Sequence, residues 1–263
     1  MQIGKNNEEY KRLKALLKAN KDEDVVATTD LNVIKLALKY NLNILEFFYV
    51  NDESYKDETK QTIDDAKNKA LSIYEISKNM FEAIQSKENQ VGLAAIIEYK
   101  INNLDDLRDK SFIVVLDGLE IPGNIGTILR TLDSASVDGL IIVDAVTKMH
   151  NPKITTSSRG CNLLIPTAVC SFEEAQSFLL ENNYNIYLGE PNLGLDYTKY
   201  DYEGKIAIVM GNERFGINLK WYNKKHTKVF IPMYGSNNSL NVAVATSIIV
   251  YEAAMKRKIT IRM

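Results

Sequence analysis

Apolar residues occur along the chain in two patterns, short continuous runs and longer stretches with helical spacing. Runs such as FIVVLD (112–117) and KIAIVMG (205–211) are almost wholly apolar, as in strands of a parallel sheet covered on both faces. Between such runs, stretches such as residues 6–20 repeat apolar residues at intervals of three and four, which is typical of amphipathic helices. Strands alternating with helices predict an α/β fold.

The alternation is interrupted at KINNLDDLRDK (100–110), a polar stretch without a strong period. We therefore predict a small α/β domain at 1–99, a linker at 100–110 and a second α/β domain with a parallel sheet at 111–263. In the second domain, helices are predicted from about residue 124 and near 155–162. A third helix is predicted to begin at the capping box formed by Ser171 and Glu174.

Near the carboxyl terminus, YGSNNSLNVAVATSIIVYEA (234–253) changes from a polar turn into an almost wholly apolar stretch. This stretch is shorter than the roughly 20 residues that a membrane-spanning helix needs. It is therefore predicted to be a core helix, buried on nearly every face. Ser239 and Asn241, at its beginning, would then lie inside the protein, where polar groups indicate a ligand site.

Composition narrows the possible functions. The chain has 263 residues, 45% hydrophobic and 25% charged, as in ordinary globular proteins. We expect no signal peptide or membrane anchor and a cytoplasmic location. Two cysteines and two histidines make a metal site or a disulfide framework improbable. A net charge of −2 argues mildly against a protein that coats nucleic acid.

One predicted helix, KRLKALLKANK, is strongly basic and is either a solvated face or a surface that contacts RNA. Its basic residues are Lys11, Arg12, Lys14, Lys18 and Lys21.

Three loops that each follow a predicted strand carry the candidate chemistry. They are LDGLEIPGNIGTILRT, VMGNERFGI and IPMYGSNNSLN. Ligands gather at the carboxyl ends of strands in open α/β sheets. Asn124 in the first loop is a possible cap for the following helix. None of the loops has the glycine spacing of a dinucleotide fingerprint or of a phosphate-binding loop.

Taken together, these loops resemble the three ordered motifs of the SpoU (TrmH-like) RNA ribose methyltransferases. The matching segments are Asn124-x-Gly126-x-x-x-Arg130, Gly211-Asn212-Glu213-x-x-Gly216, and Ile231-Pro232-Met233 with Ser239-Leu240-Asn241-Val242-x-x-Ala245. The resemblance covers residues 111–258 and is closest to the thiostrepton-resistance type, which modifies large-subunit rRNA. Arg214-Phe215 departs from the family, many members of which have Gly-x at this place.

The resemblance implies a sheet with a deep carboxyl-terminal trefoil knot that binds S-adenosylmethionine, preceded by an L30e-like RNA-binding domain. The residues that it implies for catalysis are Arg130, Asn124, Glu213, Ser239 and Asn241. Those that it implies for cofactor binding are Gly189, Gly211, Asn212, Ile231 and Leu240. It also implies a homodimer, in which small residues let a helix of the second subunit approach closely. These small residues are Ala243, Ala245, Ala253 and Ala254.

The reaction that the resemblance implies is 2′-O-methylation of a ribose in structured RNA, with 23S rRNA as the predicted substrate and without a metal ion. Family proposals make Arg130 the general base. Because a guanidinium has a pKa above about 12, we favour a fixed cation that anchors a phosphate and stabilises the developing oxyanion. Glu213 could pair with Arg130 or accept another hydrogen bond. The alternatives are a tRNA ribose methyltransferase, a non-catalytic RNA-binding protein and a small-molecule enzyme.

Overall fold

The computed structural model describes residues 1–22, 24–85 and 91–257, which divide into two compact units. The first unit comprises the described residues of 1–100 and 149–163, and the second comprises those of 101–148 and 164–263. None of the helices in these described ranges is long and apolar enough to cross a membrane.

The first unit is built on a four-stranded mixed sheet with the strand order β1-β4-β2-β3. Its strands are β1 (Val25–Thr28), β2 (Ile44–Tyr49), β3 (Ser72–Glu75) and β4 (Leu93–Glu98). Its helices are α1 (Glu8–Lys18), α2 (Leu31–Lys39), α3 (Asp57–Lys69), α4 (Lys78–Glu82) and α6 (Pro152–Ser158). Leu13 of α1 and Phe48 of β2 belong to one buried cluster, which gives this unit its own core.

The second unit is built on a seven-stranded sheet in which every neighbouring pair is parallel, so the prediction of a parallel sheet is confirmed. The strand order is β7-β6-β5-β10-β8-β11-β9. The strands are β5 (Phe112–Asp117), β6 (Gly139–Val143), β7 (Thr167–Cys170), β8 (Asn185–Glu190), β9 (Leu195–Asp196), β10 (Ile206–Gly211) and β11 (Thr227–Phe230). The helices are α5 (Pro122–Ser134), α7 (Phe172–Glu181) and α8 (Val242–Lys256).

The division into units differs from the predicted domains in two places. Residues 149–163 pack with the first unit, because Ile154 of α6 is fully buried there and α6 contacts β1. The predicted linker at 100–110 contributes to the second unit, since Leu107 is fully buried in its core and Asn102 pairs with Ala168.

Local capping signals account for several helix boundaries. The capping box of Ser171 and Glu174 is present at the start of α7, as predicted. α6 begins at Pro152, earlier than predicted, because the Asn151 side chain caps it, and it ends where Arg159 adopts a left-handed conformation with φ 52°.

The prediction that α8 is buried on nearly every face is wrong. Val244, Tyr251 and Met255 are exposed and follow one side of the helix. Another side packs on α5 of the same chain, where the hydroxyls of Thr131 and Ser247 are 2.9 Å apart.

The small residues expected to admit a second subunit therefore lie inside this unit. Ala243, Ala253 and Ala254 are buried, and Ala245 lines a cavity.

Candidate active site

A cavity of about 500 Å³ lies at the carboxyl edge of the parallel sheet in the second unit. Its walls come from the ends of β8 and β10 and from the segments that follow β5, β10 and β11. Because β5, β10, β8 and β11 are consecutive in the sheet, segments far apart in sequence meet there. The three predicted loops therefore converge on one cavity.

Most of the residues predicted for the site line this cavity. Those predicted for cofactor binding that line it are Gly189, Gly211, Asn212, Ile231 and Leu240. Those predicted for catalysis that line it are Asn124, Glu213, Ser239 and Asn241. The prediction that Ser239 and Asn241 lie inside the protein is wrong, because both line the cavity while remaining exposed to solvent. Arg130 does not line it and is exposed further along α5.

Three polar side chains along the wall are joined by hydrogen bonds. The amide nitrogen of Asn124 donates to Glu213 Oε1 at 2.8 Å, and the amide nitrogen of Asn241 donates to Asn124 Oδ1 at 3.2 Å. Asn241 Oδ1 in turn accepts the backbone N–H of Ala243 at 2.9 Å and caps α8. We call Glu213, Asn124 and Asn241 the inner set.

Asn124 does not cap α5 as predicted. Pro122 occupies the first position of the helix and Ile121 is its cap residue, so Asn124 lies within the first turn. Its side chain is thereby available to bridge Glu213 and Asn241. The same contact decides between the two interactions predicted for Glu213. Its carboxylate accepts a hydrogen bond from Asn124 and does not pair with Arg130.

The turn between Gly211 and Gly216 is fixed by the side chain of Asn212. Its Oδ1 accepts the backbone N–H of Arg214 at 2.8 Å, and its nitrogen donates to the Gly118 carbonyl at 2.7 Å. A Cβ on Gly211 would lie 2.2 Å from the backbone of Gly216, so no side chain fits there. The turn therefore holds its backbone close to the cavity.

A buried carboxyl binds the backbone just after this turn. Asp117, at the end of β5, is 4% exposed and accepts the backbone N–H of Asn218 at 2.7 Å. Burial raises the pKa of this carboxyl, and the hydrogen bond from Asn218 opposes the shift.

Glu190 and Met210 are among the residues of the cavity wall to which the sequence analysis assigned no role. Glu190 is the last residue of β8 and accepts a hydrogen bond from the Tyr222 hydroxyl. The pKa of Tyr222 is raised, mainly because the side chain is partly buried. Met210 lies against Gly189, where a Cβ would be 2.6 Å from its sulfur. The signal for both was position, since each stands at or beside the carboxyl end of a strand.

Within residues 1–22, 24–85 and 91–257, no three histidine, cysteine or acidic side chains come together in a way that could hold a metal ion. The polar groups of the cavity are amides, carboxylates, a hydroxyl and one guanidinium. Such groups can orient a hydroxyl and accept its hydrogen bond.

Comparison with known proteins gives matches over both parts of the chain. The model of the SpoU rRNA Methylase family matches residues 111–251. A curated relative is the 23S rRNA (guanosine(2553)-2′-O)-methyltransferase RlmP of Bacillus subtilis. It is 28% identical over 196 residues, which are 74% of this chain and 77% of RlmP.

Two solved structures share the fold. The AdoMet-bound rRNA methyltransferase from Sinorhizobium meliloti has a TM-score of 0.84 and 24% identity, covering 99% of this chain and 98% of its own. The SpoU methyltransferase AviRb from Streptomyces viridochromogenes has a TM-score of 0.82 and 22% identity, covering 95% and 98%.

Proposed function

Because the chain belongs to the SpoU rRNA methylase family, we propose that it methylates a ribose 2′-hydroxyl of 23S rRNA with S-adenosylmethionine as donor. The observation that carries this proposal is the hydrogen-bonded inner set on the wall of a cavity bounded by the family's three motifs. The name of the Bacillus subtilis relative supports both the RNA and the ribose position.

The cavity suits the cofactor in size and in the character of its walls. Its volume of about 500 Å³ falls in the usual range of small-molecule sites. Backbone without side chains at Gly189 and Gly211 would admit the adenosyl group, and Ile231 and Leu240 would contact it. When bound, the sulfonium supplies an activated methyl group, so the protein has only to orient the acceptor and manage its proton.

In this account the inner set positions the ribose. Glu213 is engaged through Oε1 with Asn124, while its Oε2 has, among the described residues, only a long 3.5 Å contact with the Glu120 N–H. Oε2 is therefore the atom that accepts the hydrogen bond of the incoming 2′-hydroxyl. Ser239 lines the same cavity and adds a hydroxyl that orients the ribose.

Arg130 acts from outside the cavity. Its guanidinium is exposed and has no ion pair or hydrogen bond among the described residues, so it is available to RNA. A guanidinium keeps its proton near neutrality and offers only hydrogen-bond donors, so it is unsuited to act as a general base. Arg130 therefore serves as a cation that binds a phosphate of the RNA, and its place outside the cavity does not support the predicted contact with the 2′-oxygen.

A homodimer accounts for the exposed side of α8. Val244, Tyr251 and Met255 are 47%, 44% and 73% exposed and lie along one side of the helix. Apolar side chains that line up on a helix are typical of a surface that packs against another protein chain. A second copy that covers this stripe would shield these three side chains from water.

The first unit would contact the RNA. On α1 and just beyond it, Lys14, Lys18 and Lys21 are exposed, whereas Lys11 and Arg12 pair with acidic groups. The three remaining lysines are available to phosphates. We extend the proposal to an L30e-like fold for this unit, a trefoil knot in the second, and action in the cytoplasm.

The test uses the full chain with unmodified 23S rRNA, a tRNA mixture and S-adenosylmethionine that carries a labelled methyl group. We expect label in 23S rRNA, at one ribose that resists alkaline cleavage. Label found only in tRNA would show that tRNA, and not 23S rRNA, is the substrate. Cofactor binding without methyl transfer to either RNA would indicate a non-catalytic binding protein. Activity towards small molecules without RNA would contradict the proposal.

A further inference from the structure

The turn that follows β10 holds two side chains out towards solvent. Phe215 is 81% exposed, although burial of an aromatic ring of this size is normally favourable. Arg214 beside it is exposed and forms no ion pair or side-chain hydrogen bond with the described part of the chain. Neither side chain is used in the account of the inner set.

This turn is rigid. Asn212 Oδ1 accepts the backbone N–H groups of Arg214 and Phe215 at 2.8 and 3.2 Å. Asn212 and Gly216 exchange two backbone hydrogen bonds of 2.9 and 3.0 Å, and Gly216 closes the turn with φ 70°. The backbone at Phe215 is therefore fixed, and its ring projects from a defined place on the surface.

The turn also belongs to the active site. Residues on both sides of Phe215, Arg214 and Gly216, line the cavity, and Glu213 is hydrogen-bonded to Asn124. A ribose that reaches Glu213 is attached to a base and two phosphates, and residues 214 and 215 directly follow Glu213 in this turn. Aromatic rings stack on unpaired bases, and arginine binds phosphates.

We propose that Phe215 is a stacking platform for an unpaired base of the RNA at or next to the methylated nucleotide, with Arg214 on the adjoining phosphate. This inference rests on the proposed function. RNA is favoured over a second copy of the chain as the occupant, because a permanent protein contact on Phe215 would cover the turn past which the RNA must enter.

The test compares the full-length wild type with Phe215→Leu, Phe215→Trp and Leu219→Ala. Leu keeps an apolar side chain but removes the ring, and Trp keeps a ring. Leu219 is a matched control because it is 80% exposed, lies four residues further along and has no place in the site. Affinity for a 23S rRNA transcript made in vitro is measured with S-adenosylhomocysteine present, and the affinity for S-adenosylhomocysteine is measured separately.

We expect Phe215→Leu to weaken RNA binding about tenfold, as the loss of one stacked base does. Phe215→Trp and Leu219→Ala should bind RNA like the wild type, and all three variants should bind S-adenosylhomocysteine normally. Equal RNA affinity in wild type and Phe215→Leu, with a wild type that methylates the transcript, would overturn the stacking role alone.

Two further results would also count against the proposal. If Phe215→Leu changed the sedimentation of the protein but not its RNA affinity, Phe215 would be part of an interface between copies of the chain. If the wild type neither bound nor methylated RNA, the proposed function itself would fail, which is a separate outcome from failure of the variant.

Discussion

Two groups of side chains to which we assign contacts with the substrate are held in opposite ways. In the inner set, each side chain is held by another, from Glu213 through Asn124 to Asn241 and the start of α8. In an outer set, formed by Arg130, Arg214 and Phe215, the side chains are exposed and have no side-chain partner among the described residues.

This difference separates groups that the protein orients before substrate arrives from groups that only substrate completes. Polar groups that hold one another are already in place and lose little entropy when the ribose binds. Groups without partners gain theirs from RNA, so their loss should weaken contact with RNA and leave the cofactor site unchanged.

The largest effect is expected for Arg130→Ala. Methyl transfer should fall about a hundredfold or more, because the RNA loses a charged contact that holds the reacting ribose in its productive position. Binding of S-adenosylhomocysteine should not change, because Arg130 lies outside the cavity. Single-turnover methylation and calorimetry measure the two quantities, and Arg130→Lys should retain more activity than the alanine variant. Near-normal turnover in Arg130→Ala would refute its role.

The next largest effect is expected for Asn124→Ala, which removes the centre of the inner set. Glu213 and Asn241 would each lose a hydrogen bond, and transfer should fall about ten- to hundredfold, equivalent to about 1–3 kcal/mol. The control is Asn237→Ala, an exposed amide that does not line the cavity. If both variants had the same rate, the inner set would have no part in positioning.

A smaller effect is expected for Gly189→Ala. The added Cβ would lie 2.6 Å from the Met210 sulfur, and this flexible side chain would move into the cavity. We expect affinity for S-adenosylhomocysteine to fall about tenfold, equivalent to about 1.4 kcal/mol. Met210→Ala in the same chain should restore it. Gly235→Ala is the control, since its Cβ would meet nothing within 4 Å. Equal affinity of the wild type and Gly189→Ala for S-adenosylhomocysteine would indicate that the cofactor does not bind beside Gly189.

The smallest effect is expected for Asp117→Asn and concerns stability. Because burial raises the pKa of Asp117 in the folded protein, its stabilising contribution is present below the unfolded pKa of about 3.9 and is lost as pH rises through the folded value. Between pH 4 and 7 the wild type should therefore lose stability that the variant keeps. The free energy of unfolding of the variant minus that of the wild type should increase over this range.

Urea denaturation at several pH values measures this difference. Exposed Asp109→Asn is the control and should follow the wild type. A difference between Asp117→Asn and wild type that did not vary with pH would contradict the role of burial.

The sequence allowed much of this architecture to be predicted because the signals are local. The apolar runs predicted the strands of the parallel sheet, and Ser171 with Glu174 predicted the start of α7. The convergence of the three loops followed from a general property of parallel sheets, whose strand ends share one edge.

What could not be predicted depends on contacts between distant residues. Asn124 and Glu213 are 89 positions apart, and nothing near either residue specifies the other as its hydrogen-bond partner. α6 belongs to the first unit although it lies between segments of the second in the sequence. The reason is that Ile154 is buried and α6 packs on β1. Composition likewise gave no sign that one side of α8 would remain exposed.

The central claim is that the turns after β5, β10 and β11 together form the binding site of a methyl donor. Calorimetric titration of the full chain with S-adenosylmethionine tests it most directly, with Gly211→Ala as the variant whose Cβ would overlap the backbone of the turn. We predict one binding site per chain in the wild type and no measurable binding in the variant. A folded wild type that gave no heat, or equal affinity in both proteins, would contradict the account.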